Sequence, residues 1–236
     1  MELPILFQDT SLVAINKPHG LLVHRSPIAA DVQEFALQIL RDQLQKIVYP
    51  VHRLDRKTAG VLLFTFSKET LVHVSNQFMD GTVSKKYLAI LRGHAPESGT
   101  IDYPLENESG KMQDAITHFR TLGRSEIPYA LGSYSSLRYS LVLAEPETGR
   151  MHQLRRHFAH IMYPIIGDRP HGCNKQNRFF KETFQMESML LHAQQLSLRH
   201  PETGDELTIS ASISSEFQRM LETLGLEDGY KKYSGI

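Results

Sequence analysis

A carboxylate flanked by two arginines stands at the start of the most apolar segment of the chain. Residues 52–60 read His-Arg-Leu-Asp-Arg-Lys-Thr-Ala-Gly, and the apolar, strand-like segment 61–66 follows directly. A charge that leaves water needs a partner, so this arrangement indicates either a reactive group or a solvated surface ion pair. Asp55 has the chemistry of a nucleophile or a base, and Arg53 and Arg56 are the candidate partners next to it.

The run resembles the signature of the RluA-type pseudouridine synthases, His-Arg-Leu-Asp-x-x-Thr-Ser-Gly. All fixed positions are present except the serine, which is Ala59 here. The change removes a hydroxyl from the loop and leaves the carboxylate in place. Further motifs of the family follow in the expected order, and several separated motifs are far more specific than one. They occupy 16–18, 20–24, 86–87, 148–155, 159–160, 164–168 and Gly172.

The resemblance implies a defined reaction, the isomerisation of uridine to pseudouridine in RNA. The N1–C1′ bond of the uridine breaks, the base turns, and C5 takes the place of N1 on the sugar. No cofactor, metal or redox change is needed. The reaction requires one carboxylate near the sugar and the base, and a dry slot for the detached uracil. The resemblance assigns the carboxylate to Asp55.

The resemblance also assigns the residues that assist Asp55. Arg155 keeps the carboxylate ionised, because a guanidinium is always charged and can bind two oxygens. Tyr87 packs on the flipped uracil, and Leu154 forms part of the apolar base pocket. Arg53 enters the RNA stack that the uridine has left, because extraction of a base costs a few kcal/mol. Plainer interpretations stay open, namely a phosphate contact for Arg155 and core positions for Tyr87 and Leu154.

The remaining candidates are a histidine of the signature run and several basic residues. His52 is expected to organise the loop by hydrogen bonding rather than to catalyse. We expect RNA contacts from Arg56, Lys86, Arg150 and Arg156.

Composition and charge exclude several classes of protein. With 41% hydrophobic and 22% charged residues among 236, the chain has the make-up of an ordinary globular protein. A single cysteine allows no internal disulfide and fits a reducing compartment. No apolar run approaches the roughly 20 residues that span a bilayer, and no signal peptide is indicated. We expect a cytoplasmic protein without membrane association.

Basic residues are concentrated in one part of a chain whose net charge is zero. Residues 150–199 hold eight Lys or Arg against three Asp or Glu, whereas 201–236 hold three against seven. The basic region could follow a phosphate backbone, although chance clustering is the plainer explanation. We expect RNA as the partner, a monomer, and no obligatory protein partner.

The 12 histidines of the chain raise an alternative function. His152, His157 and His160 cluster, but their spacings of five and three differ from the i, i+4 pair of a helical zinc site. We expect no metal. A metal-dependent hydrolase and a non-catalytic RNA-binding protein remain the rival classes, and Asp55, which repels phosphate, disfavours the second. Incubation of tRNA without metal, followed by detection of pseudouridine, separates the three.

Details beyond the general motifs narrow the RNA target. Arg156 stands where most relatives have an aliphatic residue, and His171 replaces the usual tyrosine before Gly172. The sequences His-Arg-Ser at 24–26 and Gln-Asn-Arg at 176–178 complete the set. This set resembles the branch of the family that modifies the uridine at position 65 in the T-stem of tRNA. Ribosomal RNA is the alternative target.

The hydrophobic pattern predicts one α+β domain over residues 1–226, with a mixed, mainly antiparallel sheet flanked by helices. The resemblance implies the same fold, without the small RNA-binding domain that many relatives carry in front. Strands are expected at 5–7, 12–15, 61–66, 82–91, 101–105, 115–121, 137–144, 190–199 and 206–211. Helices are expected at 32–47, with Asp31 and Glu34 as a capping box, and at 67–79, 151–162 and 215–224. Residues 227–236 are expected to be a flexible tail.

Overall fold

The computed structural model describes residues 1–24 and 34–235. The chain divides into two compact units, each built from two separated segments. The first comprises Met1–Lys85 and His192–Ile213, and the second comprises Lys86–Leu191 and Ser214–Ile236. The single domain predicted over residues 1–226 stays a prediction. Among the described residues, no helix is both long and apolar enough to cross a membrane.

Strands and helices alternate irregularly along the described residues. In chain order they are β1 (Ile5–Gln8), β2 (Leu12–Lys17), α1 (Ala36–Leu44), β3 (Tyr49–Pro50), β4 (Ala59–Thr65), α2 (Lys68–Met79), β5 (Ser84–Arg92), β6 (Ser98–Asp102), β7 (Leu105–Glu106), β8 (Met112–Gln113), β9 (Ile116–Ile127), β10 (Leu137–Pro146), α3 (Gln153–His160), α4 (Asn174–Phe184), β11 (Leu191–Arg199), β12 (Glu206–Ser210), α5 (Ser215–Leu224) and α6 (Glu227–Ser234). The predicted α+β class with a mixed sheet is confirmed.

The first unit is organised around β4, whose seven residues are all buried. Its strands lie in the order β1-β2-β4-β11-β12, and β3 pairs with β4 as well. The β4–β11 pair is parallel and the others are antiparallel. A strand covered on both faces reads as a continuous apolar run, which is why the segment after the signature loop is so apolar. Leu12, Leu63, Val74 and Leu196 belong to the core around it.

The second unit is an antiparallel sheet in the order β5-β10-β9-β6, with β7 and β8 as a separate hairpin. Its core joins the sheet to α3. Leu91 and Val142 come from the sheet, and Leu154 and Phe158 come from the helix. This packing fixes the rotation of α3, and the rotation decides where its arginines point.

The helix predictions differ in how well they hold. For α2, Ser67 is the N-cap, and its hydroxyl accepts a hydrogen bond from the Thr70 backbone amide at 3.1 Å, as expected from the sequence. The helix predicted at 32–47 is shorter, because Gln45 adopts a left-handed conformation (φ 53°) and ends it. Ile47 lies beyond that end and is exposed. The predicted capping residue Asp31 lies outside the described residues, as do 32 and 33.

The predicted flexible tail is wrong for most of its length, because residues Glu227–Ser234 form α6. Acidic residues begin this helix and lysines end it, an arrangement that complements the helix dipole. Gly229 lies directly against the Leu122 backbone of β9, and Arg120 lies over the Tyr233 ring at 5.6 Å. The helix is therefore stabilised by docking on the sheet. Its sequence has no hydrophobic periodicity from which the helix could have been predicted.

The signature glycine is explained by close strand packing. Gly60 has φ +113°, and a Cβ atom there would lie 2.2 Å from the carbonyl oxygen of Ala193 on the parallel neighbour β11. Any side chain would push β4 and β11 apart, just behind the loop that carries Asp55.

We expect Gly60→Ala to lower the free energy of unfolding by about 3 kcal/mol or more, because backbone strain and a steric clash add. Urea denaturation followed by circular dichroism measures the change. Gly149→Ala is the matched control, since no atom outside its immediate neighbours lies within 4 Å of that position. Similar stability of the two variants would contradict this explanation.

Candidate active site

His52 anchors the signature loop, residues 52–58, to the strand and helix behind it. Its Nε2 accepts a hydrogen bond from the Leu63 backbone amide at 3.2 Å, and its ring stacks on Phe78 with centroids 5.3 Å apart. Burial, together with the nearby Lys85, lowers the pKa of His52 to about 4. The ring is therefore neutral at physiological pH, as an acceptor at Nε2 must be. These contacts support a loop-organising role.

Asp55 is half-buried at the turn of the signature loop. Its backbone carbonyl accepts a hydrogen bond from the Thr58 amide at 3.0 Å, and Thr58 itself is buried. Neither flanking arginine serves the carboxylate. The Arg53 side chain is exposed and forms no hydrogen bond with the other described residues, and the Arg56 Nε donates to the Gly20 carbonyl at 3.0 Å. The plainer interpretation of the run, a surface ion pair between Asp55 and a flanking arginine, is therefore not supported, and the RNA contacts expected of Arg53 and Arg56 stay predictions.

Lys17 is a buried cation of the first unit that interacts electrostatically with Asp55. The lysine ends β2 and is completely buried. Its Nζ donates to the carbonyls of Pro18, Leu21 and Arg56 at 3.0, 2.8 and 3.2 Å. Burial lowers the pKa of Lys17 to about 7, and the Asp55 carboxylate opposes that shift. One ammonium group thus joins the segment after β2 to the signature loop.

Arg155 lies in the second unit as one half of a buried ion pair. Its Nε and Nη2 each donate to a carboxylate oxygen of Asp168 at 2.8 Å, and both side chains are almost fully buried. Such a two-pronged pair fixes the guanidinium plane, and removal of one partner of a buried pair costs about 3–5 kcal/mol. The role of Arg155 towards Asp55 stays a prediction.

The segment that carries Asp168 is held in place by α4 and by its own tight turn. The Asn177 side chain accepts from the Gly167 amide at 2.9 Å and donates to the Asp168 carbonyl at 2.6 Å. Gly172 approaches so closely that a Cβ atom would lie 2.0 Å from that same carbonyl. His171 hydrogen-bonds His152 at 3.0 Å, and burial lowers the pKa of His171 although Asp168 opposes the shift.

Gln153 fastens the segment before α3 to the edge of β9. Its Nε2 donates to the Ile116 carbonyl at 2.9 Å and to the Thr117 hydroxyl at 3.0 Å. Its Oε1 accepts from the Thr148 hydroxyl at 2.7 Å and from the Arg150 amide at 2.9 Å. A single buried amide thereby satisfies four polar groups and sets the entry of the chain into α3.

Two of the residues predicted to contact RNA hydrogen-bond the protein backbone. The Arg150 Nε donates to the Asp114 carbonyl at 2.9 Å, and the Arg156 Nη1 donates to the Glu106 carbonyl at 2.8 Å. These bonds tie the β7–β8 hairpin to the start of α3. The excess of basic residues in this region therefore has a structural use in addition to any electrostatic one.

The predicted base-stacking residues share one environment in the second unit. Tyr87 is half-buried on β5 and packs against the core cluster that contains Leu154. Lys86, next to Tyr87, is also half-buried. Tyr87 and Leu154 can therefore pack in the core cluster and also contact a uracil, because part of the cluster can line a base pocket. The two predictions for these residues are compatible.

The clustered histidines have partners of their own. The buried His157 contacts the Thr117 hydroxyl and the Tyr103 carbonyl at 3.0 Å each, and burial lowers its pKa. His160 stacks on Tyr103 with ring centroids 3.7 Å apart. Within the described ranges, no three His, Cys, Asp or Glu side chains form a group that could hold a metal ion.

Sequence reasoning gave no individual role to Lys17, Asp168 or Asn177, although a signal existed for the first two. Lys17 ends a mostly apolar strand, so its burial could have been expected. Arg155 shares the buried face of α3 with Phe158, and a buried arginine needs a carboxylate such as Asp168. Asn177 gave no comparable signal, since its partners are backbone groups.

Comparisons with known proteins identify the family of the chain. The family described as RNA pseudouridylate synthase matches residues 11–160, well over half of the chain. A tRNA pseudouridine synthase C of Haemophilus ducreyi is 44% identical over 235 residues, which cover 95% of this chain and 97% of that protein. The protein of the same name from Vibrio cholerae is 42% identical over 237 residues, covering 96% and 97%.

Solved structures show the same fold. Human RNA Pseudouridylate Synthase Domain Containing 4 superimposes with a TM-score of 0.71 at 28% identity, covering 94% of this chain and 93% of that one. Human RNA Pseudouridylate Synthase Domain Containing 1 gives 0.70 at 21% identity, covering 95% of each chain, and supports the fold alone. The chain belongs to the RNA pseudouridylate synthase family. It is an enzyme that isomerises uridine in RNA to pseudouridine.

The buried lysine predicts a pH dependence of stability. Lys17 has a pKa of about 7 in the folded protein, against about 10.4 in an unfolded chain. The unfolded state therefore binds more protons between these values, and stability contributed by this site rises with pH across that window, by at most about 1.4 kcal/mol per pH unit.

Lys17→Met keeps the length of the side chain and removes the titrating group, so the rise with pH should be absent in this variant. Urea denaturation at several pH values between 7 and 10, with the two proteins compared at each pH, measures the difference. Parallel stability curves would show that Lys17 does not titrate in this range.

Proposed function

We propose that this enzyme acts on tRNA, that its target is the uridine at position 65 in the T-stem, and that Asp55 is the catalytic group. The signature loop is the observation that carries the proposal. His52, Thr58 and the Lys17 ammonium all fix its backbone, while the Asp55 side chain remains half-buried at the turn. A carboxylate on a rigid loop is pre-positioned for a substrate that must be drawn out of its stack.

The reaction uses Asp55 as a nucleophile or as a base on the sugar. The N1–C1′ bond breaks, the uracil turns in place, and the C5–C1′ bond forms. C5 then loses its proton and N1 gains one, so no atom is added or removed overall. Arg155, kept planar and fixed by Asp168, is the proposed cation that holds the Asp55 carboxylate ionised. Tyr87 and Leu154 supply the apolar slot for the uracil.

The choice of tRNA rests on relatives and on residues outside the common motifs. Proteins named tRNA pseudouridine synthase C match nearly the whole chain at 42–44% identity. Of the residues that pointed to the position-65 branch, Arg156, His171 and Asn177 all support α3 or the Asp168 segment. Arg25 and Ser26 lie outside the described residues. A ribosomal RNA target is the alternative, and mapping of pseudouridine in total RNA with and without the enzyme distinguishes the two.

The proposal extends to the state and place of the enzyme. We propose a monomer that works in the cytoplasm on RNA without an obligatory protein partner. The single cysteine, Cys173, supports a reducing compartment.

Asp55→Asn should abolish pseudouridine formation while folding and RNA affinity stay close to wild type, because the amide keeps the volume and loses the reactive oxygen. Single-turnover assays on a tRNA transcript, with the pseudouridine mapped by sequencing, measure the rate. Asp80→Asn, an exposed carboxylate at the end of α2, is the control and should leave the rate unchanged.

A rate above a tenth of wild type in Asp55→Asn would remove Asp55 from the mechanism. The same assay in EDTA tests the rival hydrolase hypothesis. Activity should be unaffected, and a loss that zinc restores would favour a metal-dependent enzyme instead.

Arg53→Ala should slow the reaction on a folded tRNA stem far more than on a short unpaired oligonucleotide. The exposed Arg53 is two residues before Asp55 and is proposed to fill the gap left by the extruded uridine. Unstacking costs a few kcal/mol in a stem and less in a single strand. The measurement is a single-turnover comparison of both RNAs at saturating enzyme and two salt concentrations. Equal slowing on both RNAs, with a flatter salt dependence, would make Arg53 an electrostatic contact only.

A further inference from the structure

A polar cleft of about 440 Å³ lies wholly within the second unit, away from Tyr87. Tyr87 and Arg92 are at opposite parts of β5, which corresponds to about 16 Å along a strand. Gly93, the loop between β9 and β10, β10 itself, Met162 after α3 and Gln176 of α4 form the rest of the lining. None of these residues has a role in the site described above. We call this feature the β5-end cleft, and the side chains that matter are Arg92, Arg138, Ser136, Tyr134, Met162 and Gln176.

Gln176 gives the β5-end cleft a buried hydrogen-bond donor. Only 5% of this residue is exposed, and its Oε1 accepts a hydrogen bond from the Tyr139 hydroxyl at 2.9 Å. Burial raises the pKa of Tyr139, so the phenol stays protonated and keeps the amide in this orientation. The Nε2 group forms no hydrogen bond with any residue in the described part of the chain. A nearly buried amide that lines a cleft with its donor side open calls for an acceptor.

Two guanidinium groups add positive charge beside that amide. Arg92 forms no side-chain hydrogen bond or ion pair with the residues that the structure describes. Arg138 is held by one nitrogen only, its Nε, which pairs with the Glu126 carboxylate at 3.0 Å. The Ser136 hydroxyl also donates to that carboxylate. Glu126 therefore orients Arg138 and leaves its two terminal nitrogens available to a ligand. The Arg92 charge has no carboxylate partner among the described residues. This donor set matches a phosphate group better than any neutral ligand.

The rim of the cleft is apolar and exposed. Tyr134 is 58% exposed and Met162 is 78% exposed, and Met162 has a left-handed backbone conformation (φ 69°) that non-glycine residues rarely adopt. An exposed ring and a thioether offer flat, polarisable surfaces on which a nucleobase can stack. The volume lies within the range of small-ligand sites and suits a single nucleotide.

We propose that the β5-end cleft binds one nucleotide of the substrate RNA outside the segment that carries the reactive uridine. Its phosphate sits on Arg92, Arg138 and the Gln176 amide, and its base lies against Tyr134 and Met162. The inference rests on the proposed function, since it takes RNA as the ligand. Its consequence is that a full-length tRNA binds more tightly than a fragment that reaches only Asp55.

The test compares two RNAs and four proteins, the wild type and three variants. The RNAs are a full-length tRNA transcript and a short hairpin that carries only the reactive uridine with its stem. The variants are Arg92→Ala/Arg138→Ala and Gln176→Glu, which keeps the acceptor for Tyr139 and replaces the donor amide by a carboxylate. Lys232→Ala, an exposed lysine of α6, is the matched loss of a positive charge. Thermal unfolding confirms that each variant is folded.

Both cleft variants should raise the Kd for full-length tRNA at least tenfold and leave the Kd for the hairpin unchanged. In Arg92→Ala/Arg138→Ala the slope of log Kd against log salt should fall by about 1 to 2, the loss expected for one or two phosphate contacts. Single-turnover rates at saturating enzyme should not change. Lys232→Ala should bind both RNAs as wild type does.

Wild-type affinity of both cleft variants for full-length tRNA would overturn the proposal, even if the enzyme makes pseudouridine. Equal weakening of both RNAs would also overturn it, because the cleft would then belong to the main contact surface. If the wild type binds full-length tRNA through the cleft but forms no pseudouridine, the proposed function fails and the cleft stands.

Discussion

The amino group of Lys17 is removed from water, and three backbone carbonyls accept hydrogen bonds from it. A buried charge is tolerated only when its hydrogen bonds are complete, so the carbonyls of Pro18, Leu21 and Arg56 must be in place at the same time. This requirement links the end of β2 to the turn that carries Asp55. The signature loop therefore cannot move without leaving the lysine unsatisfied, and the carboxylate inherits that rigidity.

The same constraint acts on Arg155 in the second unit. The Asp168 carboxylate is its partner, and the carboxylate is in turn placed by Asn177 and by the tight turn at Gly172. Each of these residues is needed because the residue that it contacts is polar or charged and buried. Burial lowers the pKa of His52, His157 and His171 alike, which favours the neutral form of each ring.

Much of the fold could be predicted from the sequence, because apolar runs, helical periodicity and capping residues indicated the local structure correctly. The apolar run after the signature loop is a fully buried strand, and the Ser67 cap and the 215–224 helix are where their residue types indicate. Helix α4 escaped prediction because its buried row is Gln176, Phe180 and Phe184, and a glutamine in that row breaks the apolar pattern. Helix α6 has no fully buried residue and exists through docking on β9, which is a tertiary effect.

The chemistry of the site was easier to predict than the use of its cations. A charge pattern in the sequence cannot show whether an arginine faces solvent or donates to a carbonyl far along the chain. Arg150 and Arg156 hold the β7–β8 hairpin. In the first unit, Arg56 holds the segment after β2 through the Gly20 carbonyl.

Cations whose side chains form no hydrogen bond within the protein can bind a ligand. Arg53 and Arg92 make no polar side-chain contact with other described residues, so their hydrogen-bonding capacity is available to a ligand. Arginines that donate to backbone carbonyls keep their charge and attract RNA at long range. The orientation of their side chains, however, is already fixed by those hydrogen bonds. Affinity can therefore come from all cations near the RNA, whereas contacts with defined geometry must come from the arginines that have no side-chain partner among the described residues. Discrimination between RNAs is a matter of geometry, and so it should depend on far fewer residues than binding does.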